Sequence, residues 1–368
     1  MVVMSVEDKY GHQEGGSENK PGHKKFPDYR LPEWVQHPLK EHPKRVALLF
    51  PGEQNHYVGM LKEVRKKPQV REMLSQASNV FGLDVEALMK DGPASKMKAT
   101  GVNQPLMYVA GCVAYEIFKE RNPEDATKNQ AVAGFSVGEF AALYAAGVIT
   151  FEQGLEIVKA RADAMQELSD EVDMEAIVFR GYPLDKLERL MKNAIKQDTE
   201  MGSDPEVHVA RYWCPEGFVC AGKKSTVLKL QELAEREAKQ AEVRLLPDHI
   251  HAAHTPMARQ AEEQVAAVLD RLIPSMKPPR CEVYLNQTGW RVPAGSSPFD
   301  FADALKTQLS EPLLWESCVT QMLRFGIRQF YECGPSRSLR FMMGYYEHFI
   351  EAPVQFIKPA DFTTSITV

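Results

Sequence analysis

The residues best suited to covalent chemistry lie in the pentapeptide Gly134-Phe135-Ser136-Val137-Gly138. A G-x-S-x-G sequence between a strand and a helix presents a serine hydroxyl at the tip of a sharp turn, where it acts as a nucleophile. The N–H of Val137, at the start of the following helix, is then placed to stabilise an oxyanion. The pattern is short, and close strand–helix packing alone also explains glycines in such a turn.

A serine nucleophile needs a base, and His249, His251 and His254 lie on one short segment. His254 directly precedes Thr255-Pro256, an N-cap residue followed by proline at the first helical position. The dipole of that helix favours a neutral imidazole at His254, so we predict that His254 is the base. A zinc site is the alternative, but the segment lacks a distant set of Cys or carboxylate ligands and the i, i+4 pairing of a zinc-binding helix.

The elements that must position these residues are typical of an α/β protein. The apolar run at 45–50 predicts a buried strand, and residues 131–134 predict a second strand that leads into the serine turn. The helix after the turn is predicted to end at Gly147. The next helix begins with Thr150 and Gln153 at the spacing of a capping box.

The chain divides by composition into one large domain and one insertion. Residues 1–44 have almost no apolar periodicity and are predicted to form a disordered tail. Between 173 and 245, short apolar stretches alternate with charged helical stretches, which predicts a small inserted α+β subdomain. The large α/β domain is therefore expected to comprise residues 45–172 and 246–350, followed by a C-terminal tail at 351–368.

Charge and composition limit the possible partners. Lys and Arg total 44 against 50 Asp and Glu, a net charge of -6 that gives no global basic field for nucleic acid or an anionic membrane. The six cysteines show no C-x-x-C spacing, which argues against a disulfide framework or a zinc ribbon. No apolar run approaches the roughly 18 residues of a spanning helix, and the first residues lack the apolar core of a signal peptide. We expect a soluble monomer in the cytoplasm, or in a plastid or mitochondrion if a transit peptide has been removed.

The segment at 131–166 resembles the nucleophile segment of malonyl-CoA:acyl carrier protein transacylases and polyketide-synthase acyltransferase domains. Further segments resemble this family in the same order: VALLFPG at 46–52, NQP at 103–105, HAAHTPM at 251–257, QLSEPLLW at 308–315 and YECGP at 331–335. Together they span nearly all of residues 45–340. The resemblance implies a hydrolase-like large domain with a parallel sheet and a nucleophile elbow, plus a ferredoxin-like inserted subdomain.

The resemblance also implies a reaction in two halves. Ser136 takes a malonyl group from malonyl-CoA, and the phosphopantetheine thiol of a holo acyl carrier protein then takes it from the serine. His254 is the base in this scheme, and a main-chain carbonyl, for which Gln308 is the candidate, orients it. No metal or redox cofactor is required. The alternatives are a serine hydrolase that passes the acyl group to water, and an inactive module that binds the carrier protein.

Substrate-binding residues follow from the same resemblance. Arg161 matches the arginine that grips the free carboxylate of the substrate, a task that suits a planar fork of charge-assisted donors. The N–H groups of Val137 and Glu53 match the donors that receive the oxyanion. His251 and His254 match the first and last residues of a His-Ala-Phe-His sequence that is typical of malonyl selection.

Four positions depart from the family pattern. The oxyanion loop at 52–56 reads Gly-Glu-Gln-Asn-His instead of Gly-Gln-Gly-Ser-Gln, so Glu53 brings a potential negative charge toward a carboxylate-bearing substrate. Phe135 replaces a histidine before the serine. The segment at 211–215 replaces an Asn-rich sequence, which changes the pocket wall. Ala253 replaces phenylalanine, and we expect a larger pocket that excludes methylmalonyl less strongly.

Overall fold

The computed structural model describes residues 45–246, 253–346 and 355–356. The predicted tail at 1–44 lies outside the described residues. The strands are β1 (Arg45–Phe50), β2 (Asn129–Gly134), β3 (Met174–Arg180), β4 (Val207–Cys214), β5 (Gly217–Lys223), β6 (Glu242–Leu245), β7 (Glu282–Tyr284), β8 (Arg291–Val292), β9 (Leu313–Leu314), β10 (Ile327–Glu332) and β11 (Gln355–Phe356).

Helices account for most of the remaining described chain. The α-helices are α1 (Pro68–Phe81), α2 (Val85–Asp91), α3 (Ala94–Met97), α4 (Thr100–Arg121), α5 (Pro123–Lys128), α6 (Gly138–Ala145), α7 (Phe151–Glu171), α8 (Leu184–Glu200), α9 (Lys224–Glu237), α10 (Arg259–Leu272), α11 (Ala302–Lys306), α12 (Trp315–Arg324) and α13 (Ser338–Met343). Short 3₁₀ helices lie at Pro256–Ala258, Ile273–Ser275, Pro298–Phe301 and Thr307–Leu309. Within the described ranges, no helix combines the length and the apolarity that crossing a membrane requires.

The large sheet has the strand order β11-β10-β1-β2-β7-β8. Its first five strands run parallel, whereas β8 pairs antiparallel with β7, so the sheet that was predicted to be parallel is mixed at this edge. The reason is that only a short turn joins β7 to β8, whereas a parallel pair needs a long crossover connection. Strand β11 lies inside the segment at 351–368 that composition assigned to a tail.

Hydrophobic clusters cover both faces of this sheet, as the apolar run at 45–50 predicts for a buried strand. Along β1, Leu48 and Phe50 belong to a cluster that includes α4 and α6, while Ala47 and Leu49 belong to a cluster that includes α12. The side chains alternate between the two faces because successive residues of a strand point in opposite directions. The result is a sheet enclosed by helices, which leaves the ends of its strands for a functional site.

The inserted segment folds in the order β3-α8-β4-β5-α9-β6. Its strands pair antiparallel in the order β6-β3-β5-β4, and β9 from the later part of the chain adds a parallel pairing to β4. Helices α8 and α9 pack on the sheet through a hydrophobic cluster that includes Leu187, Leu190 and Leu230. The added β9 joins the insertion to the chain that follows it.

The chain turns sharply between β2 and α6, and Ser136 at the tip has a φ of 56°. This left-handed conformation is costly for a residue with a side chain, and such strain concentrates at functional sites. Gly134 makes the turn possible, because a Cβ there would lie 2.1 Å from the backbone carbon of Gly138. The serine turn therefore depends on strand and helix backbones that approach closely.

The predicted helix boundaries nearby are partly confirmed. Thr150 and Gln153 form both hydrogen bonds of a capping box at the start of α7. The helix predicted after Thr255 begins instead with the 3₁₀ turn Pro256–Ala258, and the Thr255 side chain makes no capping hydrogen bond there. Proline at the first position fits both helix types, so its presence did not distinguish them.

We predict that Gly134→Ala destabilises the protein by about 2–4 kcal/mol, since the methyl group would meet backbone atoms that cannot yield without opening the turn. The measurement is urea unfolding followed by circular dichroism. The control is Gly101→Ala in α4, where a Cβ would meet Gln166 at an ordinary 3.5 Å. That change is expected to leave stability the same or raise it by up to about 1 kcal/mol. Equal effects of both substitutions would contradict the packing argument.

Candidate active site

Three side chains from distant parts of the chain meet at the tip of the serine turn. The Oγ of Ser136 lies 2.9 Å from Nε2 of His254 and 3.1 Å from Nη2 of Arg161. All three residues are buried, and Arg161 is only 1% exposed. The structure thus brings the predicted nucleophile, base and carboxylate-binding residue into one group.

A backbone carbonyl fixes the tautomer of His254. Its Nδ1 lies 2.9 Å from the carbonyl oxygen of Gln308, and since a carbonyl only accepts, Nδ1 carries the proton and donates it. Nε2 is then unprotonated and accepts the hydroxyl proton of Ser136. The backbone N–H of His254 also donates to the carbonyl of Leu309 at 2.6 Å, so two contacts hold this residue to one segment.

Burial is the main cause that keeps His254 neutral. Burial, then the positive charges of Arg211 and Arg161, hold its pKa well below the ordinary 6.5, although the hydrogen bond to Gln308 opposes this shift. The contribution of the helix dipole stays a prediction, and the chain continues from His254 into a 3₁₀ turn. The imidazole is therefore uncharged at neutral pH, and its Nε2 is free to accept a proton.

Arg161 projects from α7 and uses its donors on several partners. Its Nη1 donates to Oε1 of Gln104, and its Nε donates to Oε1 of Gln308 at 3.3 Å. Burial lowers its pKa to about 10, and the nearby carboxylates of Glu53 and Glu139 limit the decrease. The guanidinium is still charged at neutral pH, and it is held rigidly in the orientation that faces Ser136.

The side chain of Gln308 connects these groups. It lies on the 3₁₀ helix Thr307–Leu309, where its Oε1 accepts from Arg161. Its Nε2 donates to the carbonyl oxygen of Ser136 at 3.1 Å and to a carboxylate oxygen of Glu139. One residue therefore contacts the base through its backbone, and both the nucleophile and the arginine through its side chain.

Glu139 and Asn286 brace the serine turn, and neither was predicted as a site residue. The side chain of Asn286 accepts from the N–H of Ser136 at 2.7 Å and donates to the carbonyl of Gly134 at 2.6 Å. Its own N–H donates to Oε1 of Glu139 at 2.9 Å. Burial raises the pKa of Glu139 to about 7, opposed by Gln308, Asn286 and Arg161. Glu139 and Gln104 lie within segments that resemble the family, which was the available signal, whereas Asn286 lies in none of these segments.

The two proposed oxyanion donors lie near the serine. Within the described part of the chain, the N–H groups of Glu53 and Val137 donate to no other protein group. Glu53 and Gln54 line a cavity together with Ser136, Phe135 and Arg211. The site therefore offers two unused backbone donors around a nucleophile that faces a cavity.

The remaining predicted positions are placed as follows. His249 and His251 lie outside the described residues. Across the ranges 45–246 and 253–346, no three His, Cys, Asp or Glu side chains are grouped to hold a metal ion. Ala253 is 5% exposed and packs in the hydrophobic core, not on the cavity wall, so weaker exclusion of methylmalonyl stays a prediction.

Comparison with known proteins agrees with this geometry. Residues 49–292 match the acyl transferase domain family. A human mitochondrial malonyl-CoA-acyl carrier protein transacylase is 32% identical over 80% of this chain and 75% of its own length, and the Haemophilus influenzae transacylase is 30% identical over 80% and 90%. The solved malonyl-CoA:acyl carrier protein transacylase of Xanthomonas oryzae superposes with a TM-score of 0.75 at 26% identity, covering 87% of this chain and 96% of its own. A malonyl-transacylase solved in complex with its type II polyketide-synthase acyl carrier protein also gives 0.75, at 25% identity over 86% and 96%.

We predict that Glu139→Gln slows the labelling of Ser136 by an organophosphorus reagent about 10- to 100-fold. Both groups that bond to the Glu139 carboxylate are donors. A glutamine side chain would place its NH₂ group, also a donor, next to one of them, and the lost hydrogen bond would cost about 1–3 kcal/mol. Gln308 and His254 would then lose their fixed positions. The control is Glu235→Gln on the exposed face of α9, and equal labelling rates in the two variants would contradict the bracing role.

Proposed function

The chain belongs to the acyl transferase family, and we propose that it moves a malonyl group from malonyl-CoA to the phosphopantetheine thiol of an acyl carrier protein. The observation that carries this proposal is the contact of one hydroxyl, that of Ser136, with both His254 and Arg161. A nucleophile beside a base suits acyl transfer. A buried arginine at the same oxygen suits an acyl group that ends in a free carboxylate.

In the first half of the reaction, Ser136 attacks the thioester carbonyl while Nε2 of His254 takes its proton. The carbonyl of Gln308 holds Nδ1–H throughout, so the charge that develops on the imidazole is partly balanced by a fixed dipole. The N–H groups of Val137 and Glu53 receive the oxyanion. Coenzyme A leaves as its sulfur takes a proton, and the malonyl group remains as an ester on Ser136.

In the second half, the thiol of the carrier protein attacks this ester and His254 acts in reverse. Between the two half-reactions, burial keeps water away from the ester on Ser136, since Ser136 is 5% exposed and His254 is fully buried. A dry ester survives until a thiol arrives, whereas an accessible one is hydrolysed. The donors and base of the site account for both halves, and we propose that no cofactor takes part beyond the coenzyme A thioester itself.

The finer assignments of fold, partner and location are part of this proposal. The β-α-β-β-α-β order of the insertion supports a ferredoxin-like subdomain, and the strand–serine–helix turn supports a hydrolase-like large domain. We propose a monomer whose macromolecular partner is holo acyl carrier protein, as in the solved complex of the related transacylase. For location we propose the cytoplasm, with the mitochondrion as the alternative that the names of the human and mouse relatives support.

We predict that incubation with malonyl-CoA gives a stoichiometric malonyl adduct by intact mass, and that Ser136→Ala abolishes it. The ester is expected at this hydroxyl because, among the described residues, it is the Ser136 hydroxyl that bonds to Nε2 of His254. The control is Ser225→Ala, which removes the hydroxyl of an exposed serine that donates to Asp198 in the insertion, and this change should leave the adduct unchanged. No adduct in the unsubstituted protein would instead support an inactive carrier-binding module, and an adduct that decays within the dead time would support a hydrolase.

A further inference from the structure

Three positions where the sequence departs from the family pattern surround one cavity. Glu53, Phe135 and Arg211 line this cavity together with Ser136. Arg211 lies on β4 of the inserted subdomain, whereas Glu53 follows β1 of the large sheet. The two charged residues therefore reach the nucleophile from different parts of the fold.

Each of these charged side chains has a buried atom without a partner. Among the described residues, Oε1 of Glu53 and Nε of Arg211 are inaccessible to solvent and form no hydrogen bond. Leaving a charged donor or acceptor buried and unpaired is costly, and each such atom in a native structure calls for an explanation. An incoming group that accepts from Arg211 would remove one of these costs.

The charges around the cavity favour an anion. Arg161 and Arg211 are both charged, and Glu53 is the acidic group that interacts with each of them. Burial raises the pKa of Glu53, while Arg161, Arg211 and a hydrogen bond with Gln104 oppose the increase. A second carboxylate entering this space would meet two cations and one competing anion.

The ring of Phe135 lies beside the guanidinium of Arg211. The guanidinium carbon of Arg211 lies 6.0 Å from the centre of the Phe135 ring, at the outer limit of a cation–π contact. Phe135 in turn packs edge-on against Trp315, with ring centres 5.4 Å apart. The aromatic residue before the serine thus provides a wall along which the arginine extends toward the cavity.

We propose that Arg211 is a second arginine that binds the free carboxylate of the acyl group, and that Glu53 is the counter-ion which this carboxylate displaces. The inference rests on the malonyl transfer proposed above. In the empty site, Glu53 offsets the charge of the two arginines. When the acyl group is on Ser136, its carboxylate accepts from Arg161 and Arg211, and Glu53 no longer has to balance both.

The test compares malonyl-CoA with acetyl-CoA, which lacks the free carboxylate. The quantity measured is the ratio of kcat/KM for acylation of Ser136 by the two thioesters. We expect Arg211→Gln to lower this ratio about 10- to 100-fold, the effect of losing a hydrogen bond to a charged group. Arg211→Lys should lower it less, because it keeps the charge without the planar fork. A ratio within about twofold of the unsubstituted protein in folded Arg211→Gln would overturn the proposal.

The opposite change is expected for Glu53→Gln, which keeps the shape and the hydrogen bond to Gln104 but removes the competing charge. Its malonyl-to-acetyl ratio should rise about 3- to 10-fold, because a like charge near the bound carboxylate disappears. An unchanged or lower ratio would contradict the counter-ion role. The double variant should recover selectivity relative to Arg211→Gln, since Arg161 then acts without a competing anion.

The control is Arg189→Gln, which removes an exposed arginine paired with Asp185 on α8 and should not alter the ratio. Thermal unfolding of each variant shows whether it is folded. A purely structural role of Arg211 would slow both thioesters equally and leave the ratio unchanged, which counts against the proposal. Failure of the unsubstituted protein to form a malonyl adduct would refute the proposed function itself, whereas a normal adduct with unaltered ratios would refute only this inference.

Discussion

A main-chain carbonyl, that of Gln308, accepts the Nδ1 proton of His254, and the positions of the other catalytic groups follow from this contact. In a Ser-His-Asp arrangement a carboxylate performs this task and carries a full negative charge. A carbonyl has no net charge, so it holds Nδ1–H of His254 well only when its C=O bond points at that proton. The side chain of Gln308 fixes the orientation of this residue, because it forms hydrogen bonds with Arg161, with Glu139 and with the backbone carbonyl of Ser136.

The use of a carbonyl also suits the electrostatics of this site. A carboxylate in place of the Gln308 carbonyl would add a negative charge near Arg161, whereas the proposed function uses Arg161 as the cation for the substrate. Instead, the pKa of His254 falls through burial and the nearby arginines, so a neutral base and a charged arginine coexist around one hydroxyl. The carboxylate of Glu139 accepts from the Gln308 amide and from the N–H of Asn286, and it forms no hydrogen bond with the Ser136 hydroxyl. In the proposed function, this separation of charges lets the site bind an anion and accept a proton in the same small volume.

The sequence predicted the parts of the site that depend on local pattern. Ser136 follows from a strand–glycine–helix signal, and the capping box correctly predicted the start of the helix that carries Arg161. The role of Arg161 itself came only from the resemblance. Gln308 and His254 were paired only through the resemblance, since 54 residues separate them and their contact depends on tertiary packing. The role of Asn286 could not be predicted from a pattern, because its contacts to Ser136 and Gly134 span 150 and 152 residues. In the fold, the short strands β8 and β11 were missed for a similar reason: two-residue strands are set by their neighbours and carry no periodicity of their own.

The central claim is that Ser136 carries a malonyl group whose next acceptor is a thiol and not water. The most direct measurement isolates the malonylated enzyme from coenzyme A by rapid gel filtration and follows labelled malonyl after addition of holo acyl carrier protein. If the acceptor is the phosphopantetheine thiol, the label moves stoichiometrically to the holo carrier protein. It stays on the enzyme when apo carrier protein, which lacks the thiol, is added. Release of the label as free malonate at the same rate with either form of the carrier would contradict it.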